Sequence, residues 1–277
     1  MTYAKWWRRP WIFPFGALVV IFLAFELPPY LSFDPVRSRV PQPASLGVAH
    51  YWTLVPHVLF GGVALSTAVL QVWPWFRRRF PVAHRRIGRV YVFGGVLPAG
   101  LAALVIGSFT PYGPVTRASD VILAVLWLAC TVTGWRMARA RRYADHRRWM
   151  IRSFTLTASI ITNRIWGAAL GIALAPQIDT TFHGDVDLFS WVVSSFAAWM
   201  GWTIPLIICE WWLERDRSPS RRRAVAARRA ADLPERRRAA DVSAGSDTAD
   251  APTGHDVERP GEHVPTGRST ATETAVS

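Results

Sequence analysis

The sequence contains only two cysteines, Cys130 and Cys209, and both lie in apolar stretches of the chain. Since neither belongs to a CxxC or CxxCH motif, a disulfide framework, a zinc ribbon and a c-type haem attachment site are excluded. The sequence also lacks a nucleotide-binding P-loop and the motifs GxGxxG, HExxH and GxSxG, so it carries no signature of nucleotide, zinc-protease or serine-hydrolase chemistry. Charged residues are scarce, at 18% of 277 residues, compared with about 25% in soluble domains.

Apolar residues, by contrast, are abundant, at 51% of the chain. A transmembrane helix needs roughly 17–25 mostly apolar residues, and six segments meet this requirement without the polar stripe that a soluble helix would show. These segments are Trp11–Leu27, Tyr51–Trp73, Gly88–Ser108, Ser119–Met137, Met150–Ala175 and Phe189–Leu213. The sequence therefore predicts an all-α fold, a polytopic transmembrane bundle of about six helices.

Basic residues are concentrated in every second connection between these segments. The N-terminal arm, the second–third connection and the fourth–fifth connection are rich in arginine, whereas the alternate connections contain only Arg37, Arg39 and Arg117. Because short cytoplasmic loops carry the excess of Lys and Arg, both termini are predicted to be cytoplasmic. We expect a multi-pass protein of a bacterial plasma membrane.

The charge distribution also divides the chain and bears on its partners. We expect a cytoplasmic arm over residues 1–10, a transmembrane domain over 11–215 and a cytoplasmic tail over 216–277 that is too polar to fold. The net charge of +13 lies mainly on the predicted cytoplasmic side. We therefore expect the lipid bilayer and its anionic lipids as partners, and no nucleic acid.

Two similar blocks of residues begin the third and fifth segments. The first reads Phe80-Pro81-x-x-His84-Arg85-x-x-Gly88-Arg89-x-Tyr91, and the second reads His146-Arg147-x-Trp149-Met150-x-Arg152. With Gln71 before them and Arg164 after them, these blocks resemble the predicted multi-pass bacterial membrane proteins catalogued as domain of unknown function 2306. The resemblance covers about residues 50–170. It supports the membrane topology and implies no activity, because none is established for that family.

This resemblance selects a set of motif residues as functional candidates. They are Gln71, Arg85, Gly88, Arg89, Tyr91, Arg147, Trp149 and Arg152.

Ionisable residues inside the predicted membrane segments form a second set of candidates. At a rise of about 1.5 Å per residue, Glu26, His57 and Arg164 fall in one layer in the outer half of the bundle, with Asn163 beside Arg164. Because a charge inside the bilayer is costly, such residues normally face the bundle. They form either an ion pair that fixes helix register, with His57 bonded to a carbonyl exposed by Pro56, or a pocket for an anionic or quinone-like ligand or one stage of a proton path.

His84 and His146 form a third set, at the inner mouths of two different helices. Facing histidines on separate helices are the ligands of a b-type haem, since neutral imidazole is a good axial ligand of iron. Alternatively, each histidine caps its helix or contacts lipid phosphate. No complete metal site is evident in the sequence.

These candidates leave three classes of function open. The first is a membrane redox protein that interacts with a b-type haem or a quinone, and the second is a carrier of small solutes, coupled or not to protons. The third is a scaffold or accessory protein without a ligand, and whether the protein is an enzyme stays open. We favour the redox class over transport.

Overall fold

The computed structural model describes residues 11–215, all of which lie in helices or in the connections between them. The predicted N-terminal arm over 1–10 and the predicted disordered tail over 216–277 lie outside the described residues. Six long helices account for most of the described chain. They are α1 (Ile12–Glu26), α2 (Val48–Val72), α3 (Pro81–Ser108), α4 (Gly113–Arg139), α5 (Tyr143–Leu174) and α6 (Val186–Arg215).

The six helices confirm the predicted all-α fold. Helices α2 to α6 are long and apolar enough to cross a membrane. Helix α1 has 15 residues, about 22 Å of helix, which is short of the roughly 30 Å hydrocarbon core. Leu27 keeps helical dihedral angles, however, and the short helix Pro28–Leu31 adds one more turn.

Helices α3 and α5 begin seven residues earlier than the apolar segments predicted, at Pro81 and Tyr143 instead of Gly88 and Met150. The reason is that the second turn of each helix carries two arginines, Arg85 and Arg86 in α3 and Arg147 and Arg148 in α5, so the apolar segment starts only after the helix has begun. Long arginine side chains can extend from such turns to water while their stems cover apolar surface. The His-Arg blocks therefore lie on helices.

Helix α3 is interrupted by a π-helical stretch at Val92–Val96, between the α-helical parts Pro81–Tyr91 and Leu97–Ser108. Pro98 has no N–H to donate to the preceding turn, so the regular hydrogen-bond ladder is broken there. Within this stretch, Gly95 packs directly on α2, where a Cβ atom would lie 2.9 Å from the Cα atom of Ala64. The glycine thus permits the close approach of α2 and α3.

Short connections make neighbouring helices run in opposite directions. Four residues join α3 to α4 and three join α4 to α5. The "arginine-rich end" of the bundle is the end at which α2 and α4 finish and α3 and α5 start, and the "cavity end" is the end at which α1 finishes and α2 starts. Buried aromatic residues of α3, α4 and α6, namely Tyr91, Trp127 and Trp202, fill the core between the two ends.

Candidate functional site

A cavity of about 550 Å³ opens between the helices towards the cavity end. All six helices contribute to its walls, which are mostly apolar. The cavity wall includes all four residues that were predicted to lie in one layer, namely Glu26, His57, Asn163 and Arg164. A volume of this size lies within the range of small-molecule binding sites.

Glu26 and Arg164 form an ion pair in the wall of this cavity. The Nε atom of Arg164 donates to Oε1 of Glu26 at 2.7 Å, and the Glu26 side chain is 9% exposed, compared with 48% for Arg164. Glu26 is the last residue of α1, where the negative end of the helix dipole disfavours an anion. The buried carboxylate therefore depends on Arg164 for its stabilisation, whereas the terminal nitrogens of the guanidinium make no hydrogen bond among residues 11–215.

His57 is held by a neighbouring helix. Its Nδ1 atom lies 2.9 Å from the carbonyl oxygen of Ala99 on α3, so Nδ1 carries the proton and donates it. This partner differs from the carbonyl on α2 that Pro56 exposes, which was one of the two sequence-based interpretations. The hydrogen bond leaves Nε2 as an acceptor on a side chain that lines the cavity.

Three residues of the cavity wall were not predicted from the sequence. Asp120, Tyr30 and Tyr112 also line the cavity, and Arg164 acts electrostatically on all three. Asp120 lies in the second turn of α4, and a single carboxylate in so apolar a segment was the signal that could have identified it. Burial raises the pKa of Tyr112, in the connection between α3 and α4, above its ordinary value.

His50 adds an unsatisfied group to the same cavity. The residue is 2% exposed and lines the cavity, and its buried Nδ1 atom has no hydrogen-bond partner. A buried polar atom without a partner costs about 1–3 kcal/mol. The unpaired nitrogen therefore belongs to a residue of the cavity wall.

A network of hydroxyl groups lies beneath the cavity, in the core of the bundle. The hydroxyl of Tyr91 lies 2.7 Å from Oγ of Ser153 and 2.8 Å from Oγ1 of Thr157. Ser153 lies 2.6 Å from Thr131, and the indole N–H of Trp127 donates to Thr157 at 2.9 Å. Trp127 and Thr157 also line the cavity, so the network begins at the cavity wall and joins α3, α4 and α5.

The hydroxyl protons of this network are fewer than its oxygen–oxygen contacts. Thr131 also approaches the carbonyl of Trp127 at 2.7 Å and Thr157 approaches the carbonyl of Ser153 at 2.9 Å. With the three hydroxyl–hydroxyl contacts, these make five contacts for the four hydroxyl protons of Tyr91, Thr131, Ser153 and Thr157. Since each hydroxyl donates one proton, one contact is always unmade and the donors can rearrange.

At the arginine-rich end, His84 and His146 lie close enough to interact electrostatically. The Nδ1 atom of His146 lies 2.8 Å from the carbonyl of Gly134, which leaves its Nε2 available, as in histidines that bind metals. The Nδ1 atom of His84 is buried without a hydrogen-bond partner. Nε2 of His146 and Nδ1 of His84 are therefore the ring nitrogens at this end that could hold a haem iron, although neither histidine lines the cavity.

The motif residue Gln71 links the end of α2 to the start of α3. Its Nε2 atom donates to the carbonyl of His84 at 3.0 Å, and a Cβ atom on Gly88 would lie 3.3 Å from its Oε1 atom. The small residue at position 88 therefore makes room for the glutamine. Arg85 and Arg89, from the same motif, are exposed at the surface and do not join this contact.

The second motif block contacts α6. Arg152 forms a bidentate ion pair with Glu210 at 2.5 and 2.7 Å, and its guanidinium lies 4.8 Å from the ring centre of Trp149. The guanidinium of Arg147 lies 5.5 Å from the ring centre of Trp212 on α6. Both contacts join the motif on α5 to α6, so the motif has a packing role.

No group of three or more His, Cys, Asp or Glu side chains within residues 11–215 could hold a metal ion. Four of the five histidines in this range lie at two separate places, with His50 and His57 at the cavity and His84 and His146 at the arginine-rich end, and His183 lies in the connection between α5 and α6.

The profile of a family described as "Predicted membrane protein (DUF2306)" matches residues 54–213, which confirms the resemblance and extends it through α6. Glu26 lies outside the matched residues, whereas His57, Asp120 and Arg164 lie within them. No curated protein matches the chain, and no solved structure does.

Proposed function

The chain belongs to the DUF2306 family of predicted membrane proteins, and we propose that it is a membrane redox protein that binds a quinone-like ligand in its cavity. One observation carries the proposal. Donors and acceptors from separate helices, including Arg164, His57 and Asp120, meet in an otherwise apolar cavity among helices that are apolar enough to cross a membrane. A lipid-soluble ring with carbonyl oxygens has this same combination of apolar surface and hydrogen-bond acceptors.

The contacts of the cavity residues suggest how such a ligand is held. Arg164 uses Nε for Glu26, so its terminal N–H groups are free to donate to a ligand carbonyl, and the positive charge also suits an anionic reduced form. Buried Trp127 and Trp202 present flat rings in the cavity wall, which favours stacking with a planar ligand. His57 offers Nε2 as a proton acceptor.

Tryptophan fluorescence tests this proposal, because quinones quench nearby indoles and two indoles line the cavity. Decylubiquinone is titrated into the detergent-purified protein, and saturable quenching with one site is expected. Arg164→Gln should weaken binding by about tenfold, the equivalent of about 1.4 kcal/mol for a lost charged hydrogen bond. The matched control is Arg117→Gln, an exposed arginine of α4 that does not line the cavity. Quenching without saturation, or equal affinities of wild type and Arg164→Gln, would contradict the proposal.

A redox role also needs a carrier of electrons, and the candidate site is the pair His84 and His146. When bound, a b-type haem supplies one-electron transfer, and these two imidazoles would hold it. An absorbance spectrum of the purified protein, oxidised and then reduced with dithionite, should show a Soret band that shifts on reduction. The band should vanish in the double variant His84→Ala, His146→Ala. A spectrum with aromatic absorbance alone would reject the haem while leaving the quinone site to its own test.

Transport of a small solute coupled to protons is the second candidate, and one observation favours it. Asp120 and His57 are titratable side chains in one cavity, an arrangement found in proton-coupled carriers. If transport is the function, decylubiquinone binding should be absent, and proteoliposomes should show substrate-dependent proton movement that Asp120→Asn abolishes. A scaffold protein would show neither activity.

The orientation of the bundle is a related proposal. We propose that the arginine-rich end faces the cytoplasm of a bacterial cell and contacts anionic lipids, because its connections carry the basic residues. Ser38→Cys, near the cavity end, should then react with an impermeant maleimide added to intact cells, and Ala140→Cys should not. The native Cys130 and Cys209 are buried, so background labelling is low. The reverse labelling pattern would overturn the orientation.

A further inference from the structure

Four charged side chains line the cavity, and two of them form an ion pair with each other. Glu26 and Arg164 neutralise each other at 2.7 Å. Arg39, at the rim, donates to the carbonyl of Phe25 and lies over its ring, with 3.7 Å between the guanidinium carbon and the ring centre. The fourth charged residue of the cavity wall, Asp120, has no hydrogen bond or ion pair with any other residue in the described range 11–215.

Asp120 also lies where an anion is poorly solvated. Its Cβ atom packs on α3, 3.0 Å from the position that a Cβ of Gly107 would occupy. Asp120 lies seven positions after Gly113, the first residue of α4, which is about 10 Å along the helix. A carboxylate at such a depth requires a partner or a proton, because transferring an unpaired charge out of water is costly.

The other groups around the cavity do not supply that partner. Arg164 on α5 acts on Asp120 electrostatically, but it is beyond ion-pair distance and is already paired with Glu26. The other titratable side chains in the cavity wall are two imidazoles, those of His50 and His57 on α2, and two phenols, those of Tyr30 and Tyr112. Helix α6 contributes only apolar, hydroxyl and glycine residues and Trp202 to the cavity wall.

We propose that Asp120 is a proton-binding site of the cavity, protonated at neutral pH, and that its O–H group donates a hydrogen bond to the bound ligand. The reaction at the site is the addition of one proton to one carboxylate oxygen, which removes the uncompensated charge and creates a donor. With Asp120 protonated, the cavity has two donors of different kind, the cationic Arg164 and the neutral acid. The hydrogen bond to the ligand rests on the proposed function, whereas the protonation of Asp120 does not.

Infrared spectroscopy tests the protonation without any ligand. The C=O stretch of a protonated carboxyl is separate from the stretches of a carboxylate, so the spectrum of Asp120→Asn is subtracted from that of the wild type at pH 7. We expect an acid C=O band that shifts in D₂O and decreases as the pH is raised. Asp145→Asn is the matched control, since Asp145 is paired with Arg142 at 2.6 Å and its side chain is 39% exposed. Its difference spectrum should contain carboxylate bands only.

The outcomes separate this inference from the proposed function. An acid band in the Asp120 difference spectrum supports the proton site even if decylubiquinone does not bind. Carboxylate bands alone at pH 7 overturn it, even if the quinone binds. If Asp120→Asn does not fold, Asp120→Glu is compared with the wild type, because the longer acid should move the C=O band, and an unmoved band overturns the assignment.

Discussion

Removing the guanidinium of Arg164 should destabilise the protein, because the buried carboxylate of Glu26 then has no ion-pair partner. Breaking a fully buried pair by deleting one member costs about 3–5 kcal/mol. The Glu26 side chain is 9% exposed but that of Arg164 is 48% exposed, so we expect a smaller cost, about 2 kcal/mol, for Arg164→Gln. At about 2–4 °C per kcal/mol for a domain of this size, the melting temperature should fall by about 4–8 °C.

The coupling between the two residues is measured with a double-mutant cycle in detergent micelles. Thermal unfolding of the wild type, Glu26→Gln, Arg164→Gln and the double variant is followed by circular dichroism and by tryptophan fluorescence. We expect the double variant to be more stable than Arg164→Gln alone, because it no longer buries a carboxylate without a partner, and the coupling energy should exceed about 1 kcal/mol. If the two single effects add within about 0.5 kcal/mol, the reasoning about the buried pair is refuted.

Three further predictions concern the packing of the bundle, each checked by the same thermal unfolding. Tyr91→Phe should cost about 0.5–1.5 kcal/mol, because it removes the hydrogen bond that the buried Tyr91 hydroxyl makes with Ser153 or Thr157, whereas Tyr143→Phe, at a side chain that is 66% exposed, should cost nothing measurable. Gly95→Ala should cost about 1–3 kcal/mol through overpacking, whereas Gly171→Ala, with nothing within 4 Å of the added Cβ, should be neutral or stabilising; equal effects would contradict the close approach of α2 and α3. Glu210→Gln should lower stability at low salt and leave decylubiquinone binding unchanged, and a loss of binding would show that the arginine-rich end and the cavity are coupled.

Hydropathy and depth were enough to predict part of this structure. Each apolar segment lies almost entirely within a helix, because a run of about 20 apolar residues in a chain so poor in charge is long enough to cross a membrane as a helix. Depth along the helices also placed Glu26 and Arg164 in one layer, and their ion pair follows from the cost of a charge inside the bilayer. The first turns of α3 and α5 were missed because arginines conceal helical residues from a hydropathy criterion.

The remaining features depend on helix rotation, which apolar segments do not reveal. Tyr91 was expected to belong to the motif, yet its contacts with Ser153 and Thr157 depend on which faces of α3 and α5 meet. Asp120 was overlooked because its significance lies in the absence of a partner, and this becomes visible only when its neighbours are known. The Ala99 carbonyl that holds His57 belongs to a helix on which Pro98 interrupts the hydrogen-bond ladder, which no spacing rule anticipates.

Native mass spectrometry of the purified protein with decylubiquinone tests the central claim most directly, because it counts bound ligands on the intact chain. We expect one bound quinone per chain for the wild type and for Arg117→Gln, and almost none for Arg164→Gln at the same ligand concentration. Equal occupancy in all three proteins, or several quinones bound without a preferred stoichiometry, would contradict a specific site at Arg164.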